Sequence, residues 1–510
     1  MSRIPRPARP LPWRAVLLVG GLAVIVGLNL ATLLETPPPF VDEGIYGGYA
    51  WDWIHTGHPF GMPATDAFQR HDYYPWTAMV FYTLGMIVAG PHLVALRLVS
   101  LLFGLLLLAI IYTIGVRLLG PRGGLVAAGI LAFTPSFAYS SHLARVDIMA
   151  AVCGFGAIAL YLSDPDARRV PRAALAGLLI GAALAMHPNA VIYAPVIFAL
   201  YLLDYGRRVL RRPGLWGFAG GLGAGVILFL ASQILPWADP AAVLARLGTG
   251  AGRTPPMLRL DPAVWLESLA GTGVLLVVGL TFWLFLLVAA VVGLGRARTA
   301  AARRLLVILG GLLLQSVLVF SIHPIHYAIL VVPAAALVIA ALLDGWVARP
   351  WRPGLATYVR AALAGGLIVA AGLSAWTVIP RQDYAAYESA LAAIRAAVAP
   401  GGAVLGTTAY WFAVPDHPYY NWEQPGYYRY NHPGATFLDS LTAMHPDVVV
   451  TDGVLAPSIV DDVQALPPDI RFLYIPRAEL TNFLATQGQL VAARPIGALG
   501  TVRIYKIHWP

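Results

Sequence analysis

Apolar stretches of about 20 residues, enough helix to cross roughly 30 Å of hydrocarbon, recur down the first three quarters of the chain. The pattern predicts spans at 15–34, 94–116, 123–140, 144–163, 173–187, 189–205, 214–235, 269–293, 305–322, 325–343 and 357–379. The fifth is short and rich in Gly and Ala. A further apolar stretch at 76–90 suits a re-entrant or interfacial helix as well as a span. From Arg381 onward the continuous runs give way to mixed positions. Tyr384, Tyr387, Leu391, Ile394 and Val398 mark one face of an amphipathic helix, which Pro400, Gly401 and Gly402 stop. Strand-like runs follow at 403–405, 448–451, 471–475 and 502–507, with helix-like segments at 436–444 and 458–466. That alternation predicts an α/β domain.

The expected architecture is therefore an all-α polytopic membrane bundle of about eleven transmembrane helices, residues 1–380, followed by a C-terminal extracytoplasmic α/β domain, residues 381–510. Residues 35–93 form a long first outer loop with juxtamembrane helices. Composition agrees: 58% of the 510 residues are hydrophobic, 12% are charged and the mean hydropathy is +0.70, whereas a soluble domain is nearer a quarter charged. The stretch at 15–34 is long for a signal-peptide core and lacks a clear cleavage site, so it reads as a retained first helix. The single cysteine, Cys153, excludes an intramolecular disulfide and a cysteine metal site.

Lys and Arg accumulate in short cytoplasmic loops, which gives an independent test of topology. With the N-terminus inside, the inner segments hold 20 arginines, from Arg3 to Arg360, and the outer segments before residue 381 hold six: Arg70, Arg97, Arg145, Arg246, Arg253 and Arg259. The net charge of +9 then reads as inner-leaflet anchoring, with no nucleic-acid partner expected. The bias to Ala, Gly, Pro and Arg, with Lys506 the one lysine, points to a prokaryotic coding background and a plasma-membrane location.

Polar chemistry concentrates on the outer side. The first loop carries Asp42, Glu43, Tyr46, Tyr49, Asp52 and His55, and later His71, Asp72, Tyr73 and Tyr74. Adjacent carboxylates at the mouth of a membrane helix are costly without a task or a partner. In the bland alternative Asp42 is the N-cap of a helix starting near Gly44. A second cluster, from Ser141 to Asp147, includes His142, Arg145 and Asp147. His187 follows the fifth span, and His323, His326 and Tyr327 lie beyond the ninth. Four separate segments thus deliver acids, an arginine, histidines and tyrosines to one face. An aromatic loop at 411–430 suits either stacking on sugar rings or resting at the membrane interface.

The order Asp42-Glu43 with Tyr46, then Tyr74-Pro75, Ala144-Arg145-Val146-Asp147, and His326-Tyr327 with Pro333 resembles the GT-C glycosyltransferases of the protein O-mannosyltransferase and aminoarabinose transferase type, over roughly residues 10–345. The resemblance implies inverting transfer of a sugar from a polyprenyl-phosphate carrier to a lipid, glycan or protein acceptor outside the membrane. It assigns catalysis to Asp42, as general base, and Glu43, and donor-phosphate binding to Arg145, His187, His326 and Tyr327. Asp147, His71, Asp72 and Tyr74 would support them. Where many relatives have Lys or Arg near the fifth span and the late helix, this chain has histidines. No cofactor is required by this chemistry, although the carboxylate oxygens of Asp42, Glu43 and Asp147 suit Mg or Mn. The competing class is a multi-helix transporter or flippase, which usually places its ionisable groups near the membrane midplane. A membrane glycoside hydrolase or a non-catalytic assembly protein fits less well.

Overall fold

A computed structural model describes residues 13–57, 76–164, 169–234, 299–319, 325–347, 381–466 and 471–510, with a few isolated residues between 365 and 379. The chain is a membrane protein whose first part is helical: α1 (Trp13–Thr32), α2 (Val41–Thr56), α3 (Trp76–Ala89), α4 (Leu93–Ala132), α5 (Pro135–His142), α6 (Asp147–Leu162), α7 (Val170–Met186), α8 (Tyr193–Tyr205), α9 (Pro213–Ile234), α10 (Ala300–Val319) and α11 (Val332–Val347). Leu102, Leu106, Leu125, Ile227 and Leu228 are exposed on the bundle surface, as lipid-facing positions are in a helical membrane protein.

Most expected spans have a helical counterpart, with two corrections. Among the described residues three helices are long and apolar enough to cross by themselves, and the bent pair of α5 and α6 is a fourth candidate. That count treats α4 as one helix and leaves out the shorter apolar helices, and the spans at 269–293 and 357–379 fall almost wholly outside the described residues, so the number eleven is not tested by it. The second and third spans meet in no ordinary loop. They form one hairpin turning at Gly120, whose φ of 83° only glycine adopts readily, with Pro121 opening the return arm. The third span also stops early, at Ala132. Thr134 then accepts a hydrogen bond from the Phe137 N–H and Pro135 occupies the first turn, so a separate helix begins and ends in a bend of 115°. Residues 143–146, including Arg145, lie in that bend.

The short fifth span works through its small residues. In α7, Gly177 and Gly181 face Gly221 and Gly225 of α9 so closely that a Cβ on Gly181 would come within 2.3 Å of the Gly225 Cα. This is small-residue packing of the kind membrane helices use where apolar burial gives no drive to associate.

The C-terminal part is an α/β domain. Helix α12 (Tyr384–Ala397), capped by Asp383, buries Tyr387, Ala390, Leu391 and Ile394, the face read from the periodicity. The main sheet runs in the order β2 (Tyr419–Tyr420), β1 (Val404–Leu405), β3 (Val448–Thr451), β7 (Gly500–Ile507), β6 (Gly488–Ile496). Its first three strands are parallel, and β7 and β6 pair antiparallel. Helices α13 (Gln424–Asn431), α14 (Phe437–Met444) and α15 (Arg477–Gln487) pack around it. The strand expected at 471–475 reduces to a 3-10 turn and the short β5 (Ile475–Pro476), which pairs with β4 (Ile459–Val460) in place of the helix expected at 458–466. β6 carries no apolar alternation because nearly all of it is an exposed edge.

Much of the aromatic loop is turned into the C-terminal domain. Trp411, Trp422 and Tyr427 are buried in the domain, and the Trp422 Nε1–H donates to the Val450 carbonyl at 3.1 Å. The domain docks on α2: the Thr408 hydroxyl bonds the Val41 carbonyl, Trp51 Nε1–H donates to Asp416 at 3.0 Å, and Gly44 and Gly47 admit the backbone of Thr408 and the ring of Trp411.

Candidate active site

Helix α2 begins two residues earlier than the capping alternative requires. Val41 is its first residue, Phe40 is the N-cap, and the Glu43 carboxylate reaches back to accept the Phe40 N–H at 2.9 Å. Asp42 is therefore free of the capping role and projects from the first turn, where the helix dipole favours a negative charge. It forms an ion pair with Arg145. Its side chain is 25% exposed, so a solute can reach it.

Arg145 is nearly enclosed. Its Nε–H donates to Asp147 at 2.8 Å, it hydrogen-bonds the Tyr327 hydroxyl, and its guanidinium lies 5.5 Å from the centre of the Phe40 ring. Asp147, fully buried in the first turn of α6, also faces His187 Nε2 at 3.7 Å. His187 ends α7, where its Nδ1 accepts the Asn189 N–H, and its ring meets Tyr327 edge-on at 5.0 Å. Tyr327 rides on a 3-10 turn, Ile325–Leu330, held by a bond from the Tyr193 hydroxyl to the Leu330 carbonyl at 2.9 Å. Five residues named from the sequence, Asp42, Arg145, Asp147, His187 and Tyr327, thus meet around one guanidinium. His71, Asp72 and Tyr74 lie outside the described residues, as does the side chain of His326.

Glu43 has a different situation from the catalytic one expected. It is wholly buried, and a bidentate bridge at 2.9 Å on each arm ties it to Arg97, itself wholly buried. Its carboxylate also accepts the Ala144 N–H at 2.8 Å. The third arm of Arg97 donates to the Leu33 carbonyl at 2.8 Å. One carboxylate therefore clamps the residue before Arg145 and the start of the helix that carries Asp42. No incoming substrate can reach it without dismantling the clamp.

Sequence reasoning counted Arg97 only as an outer arginine. Its position after the apolar Leu93–Leu96 stretch was a usable signal, since an ionisable group there implies a buried partner. His142 is likewise structural: its ring nitrogens bond the Thr36 carbonyl and the Asn29 side chain, both at 2.9 Å.

The metal alternative can be judged on these donors. Among the described residues no three His, Cys, Asp or Glu side chains assemble as a ligand set. Glu43 is spent on Arg97, and Asp42 and Asp147 are bridged by a guanidinium.

Residues 74–237 match the family model described as dolichyl-phosphate-mannose-protein mannosyltransferase. Arg145, Asp147 and His187 fall inside that segment and Asp42 outside it. The fold is similar to that of ArnT from Cupriavidus metallidurans in the apo state, at a TM-score of 0.59 and 13% identity, over 96% of this chain and 98% of that one. ArnT bound to undecaprenyl phosphate matches at 0.55 and 14%, over 95% and 98%. The apo oligosaccharyltransferase of Archaeoglobus fulgidus matches at 0.56 and 13%, over 93% and 79%. No curated protein matches in sequence. The family match rests on residues 74–237, and the near-complete structural overlap shows that the chain shares the fold of ArnT and of the archaeal oligosaccharyltransferase.

Proposed function

We propose that the chain moves a sugar from a polyprenyl-phosphate carrier to an acceptor hydroxyl on the extracytoplasmic face, with inversion, and that Asp42 is the general base. The observation that carries this reading is the contact between a reachable carboxylate, Asp42, and an enclosed guanidinium, Arg145. In the reaction the acceptor oxygen attacks the anomeric carbon, the bond from that carbon to the phosphate oxygen breaks, and Asp42 takes the hydroxyl proton. The lipid phosphate leaves as a stable anion and needs a cation, not an acid. Arg145 can supply it because Asp147 holds one edge of its fork and leaves the others to an arriving phosphate. That phosphate competes with Asp42 for the guanidinium and so frees the aspartate for the acceptor. Tyr327 and His187 fill the neutral wall of the site. The transporter alternative gains no support, since among the described residues these ionisable groups gather at helix ends and not at mid-bundle.

The test is Asp42→Asn, compared with the wild type by mass spectrometry of lipid-linked sugars and surface glycans. At position two of the helix the change removes a first-turn charge, about 0.3–1 kcal/mol, and the charge that pairs with Arg145, which Asp147 still partners. Expected are normal membrane insertion, an accumulated donor, an unmodified acceptor and a rate lower by about 10²-fold or more. Near-normal transfer at wild-type abundance would remove Asp42 from the role.

A further inference from the structure

Helix α2 has a second working face. Trp51 and His55 lie on the side turned away from Asp42, as the 100° step of a helix requires, with Asp52 beside them. They form one wall of a cleft of about 470 Å³ whose other wall includes Tyr419, Asn421 and Gln424 of the C-terminal domain. We infer that this cleft is a binding subsite for a neutral carbohydrate, separate from the centre at Asp42 and Arg145. It rests on the transferase reading only for its purpose, which would be to hold the glycan of an acceptor.

The volume lies within the roughly 300–1,000 Å³ of small-molecule sites. No Lys or Arg is among the lining residues, so nothing there would neutralise a phosphate or other anion. What the walls offer is aromatic surface next to amides. Trp51 is held in place by its bond to Asp416 at 3.0 Å and by the His55 ring at 4.4 Å, which fixes an indole plane suited to the C–H face of a sugar ring. The amides are oriented as well. Gln424 Oε1 accepts the Asn421 N–H at 2.8 Å, and Asn421 Oδ1 accepts the N–H groups of Glu423 and Gln424 at 2.9 and 3.1 Å. With both oxygens committed, the two amide nitrogens are donors that no described residue uses. His417 bonds the Gly402 carbonyl through Nδ1 and keeps Nε2 for a further partner. Fixed neutral donors around a held aromatic plane match hydroxyl groups on a ring, and match neither a lipid tail nor a charged headgroup.

The full chain in nanodiscs would be photolabelled with diazirine-tagged maltotriose, cellotriose and chitotriose, with tagged oligogalacturonate as the anionic probe, and the sites mapped by mass spectrometry. The expected result is labelling by at least one neutral probe in residues 44–55 and 416–424, with the anionic probe labelling these segments at least tenfold less. Gln424→Glu keeps the oxygen that accepts the Asn421 N–H while replacing the donor with a charge, and should lower labelling at least tenfold. His55→Ala should lower it several-fold, and Asp42→Asn should leave it unchanged. Absence of neutral labelling in these segments, equal labelling by the anionic probe, or full labelling of Gln424→Glu overturns the inference. If labelling is absent while Asp42→Asn still abolishes transfer, the cleft assignment alone falls. If labelling is intact while Asp42→Asn transfers normally, the role of Asp42 alone falls.

Discussion

Arg97→Met is the most searching perturbation of this site because it strikes a residue that should touch no substrate. Arg97 and Glu43 are both completely buried and joined by two bonds of 2.9 Å. Methionine fills much of the arginine stem but leaves the Glu43 carboxylate with only the Phe40 and Ala144 N–H groups as donors. An uncompensated buried charge of this kind costs about 3–5 kcal/mol. Against a total stability of about 5–15 kcal/mol, that is a large fraction. Glu43→Gln should also destabilise, since it sets an amide N–H₂ against a guanidinium, but Arg97→Met combined with Glu43→Gln removes both charges. The double variant should therefore recover about 2–3 kcal/mol relative to the sum of the singles. The assay is reversible unfolding in a fixed detergent, with transfer measured in parallel. Loosening the clamp frees the segments that position Asp42 and Arg145, so transfer should fall further than the loss of folded protein accounts for. A cost below about 1 kcal/mol for Arg97→Met, with additive singles, would refute the clamp.

Three further outcomes follow from other parts of the molecule. Gly44→Ala would place its Cβ 1.7 Å from the Thr408 carbonyl oxygen, so it should push the C-terminal domain off α2 at a cost of about 1–3 kcal/mol, read as faster hydrogen exchange in residues 407–414; unchanged exchange would mean the domain is not seated on that glycine. Burial holds the Asp452 carboxyl above its ordinary 3.8, opposed by the bonds it accepts from Thr407 and Leu455. With the folded value raised, its stabilising contribution is complete below the unfolded value and is lost as pH rises through the folded one. Relative to Asp452→Asn at each pH, wild-type exchange protection in residues 403–407 and 448–455 should thus decline from pH ~4 toward neutrality, and a difference that is flat with pH would contradict this. Reporter fusions after Arg212 and Arg304 should report cytoplasm and one near Gly402 the outside; an outside signal at the first two would invert the proposed face of the site.

Much of the membrane part was written in the chain because hydrocarbon length and the satisfaction of backbone groups act locally, one helix at a time. The apolar runs marked α6, α7, α9 and α10 to within a few residues, and the period of Tyr387, Leu391 and Ile394 marked the buried face of α12. The residue types around Arg145 were also legible, because charges beside apolar runs are rare enough to stand out.

What only the tertiary structure decided is which neighbour each charge would find. Asp42 and Glu43 are adjacent and chemically alike, but the roughly 100° between them on a helix turns one toward Arg145 and the other into Arg97 and the core. No local pattern separates the two, since the difference lies in partners 54 and 103 positions away along the chain. The same holds for the aromatic run: Trp411 and Trp422 would read alike in a lipid interface or a sugar site, and it is the close approach of α2 glycines and of β3 that buries them. Burial is a property of the assembled surfaces, so periodicity can state that a face is apolar but not what will cover it.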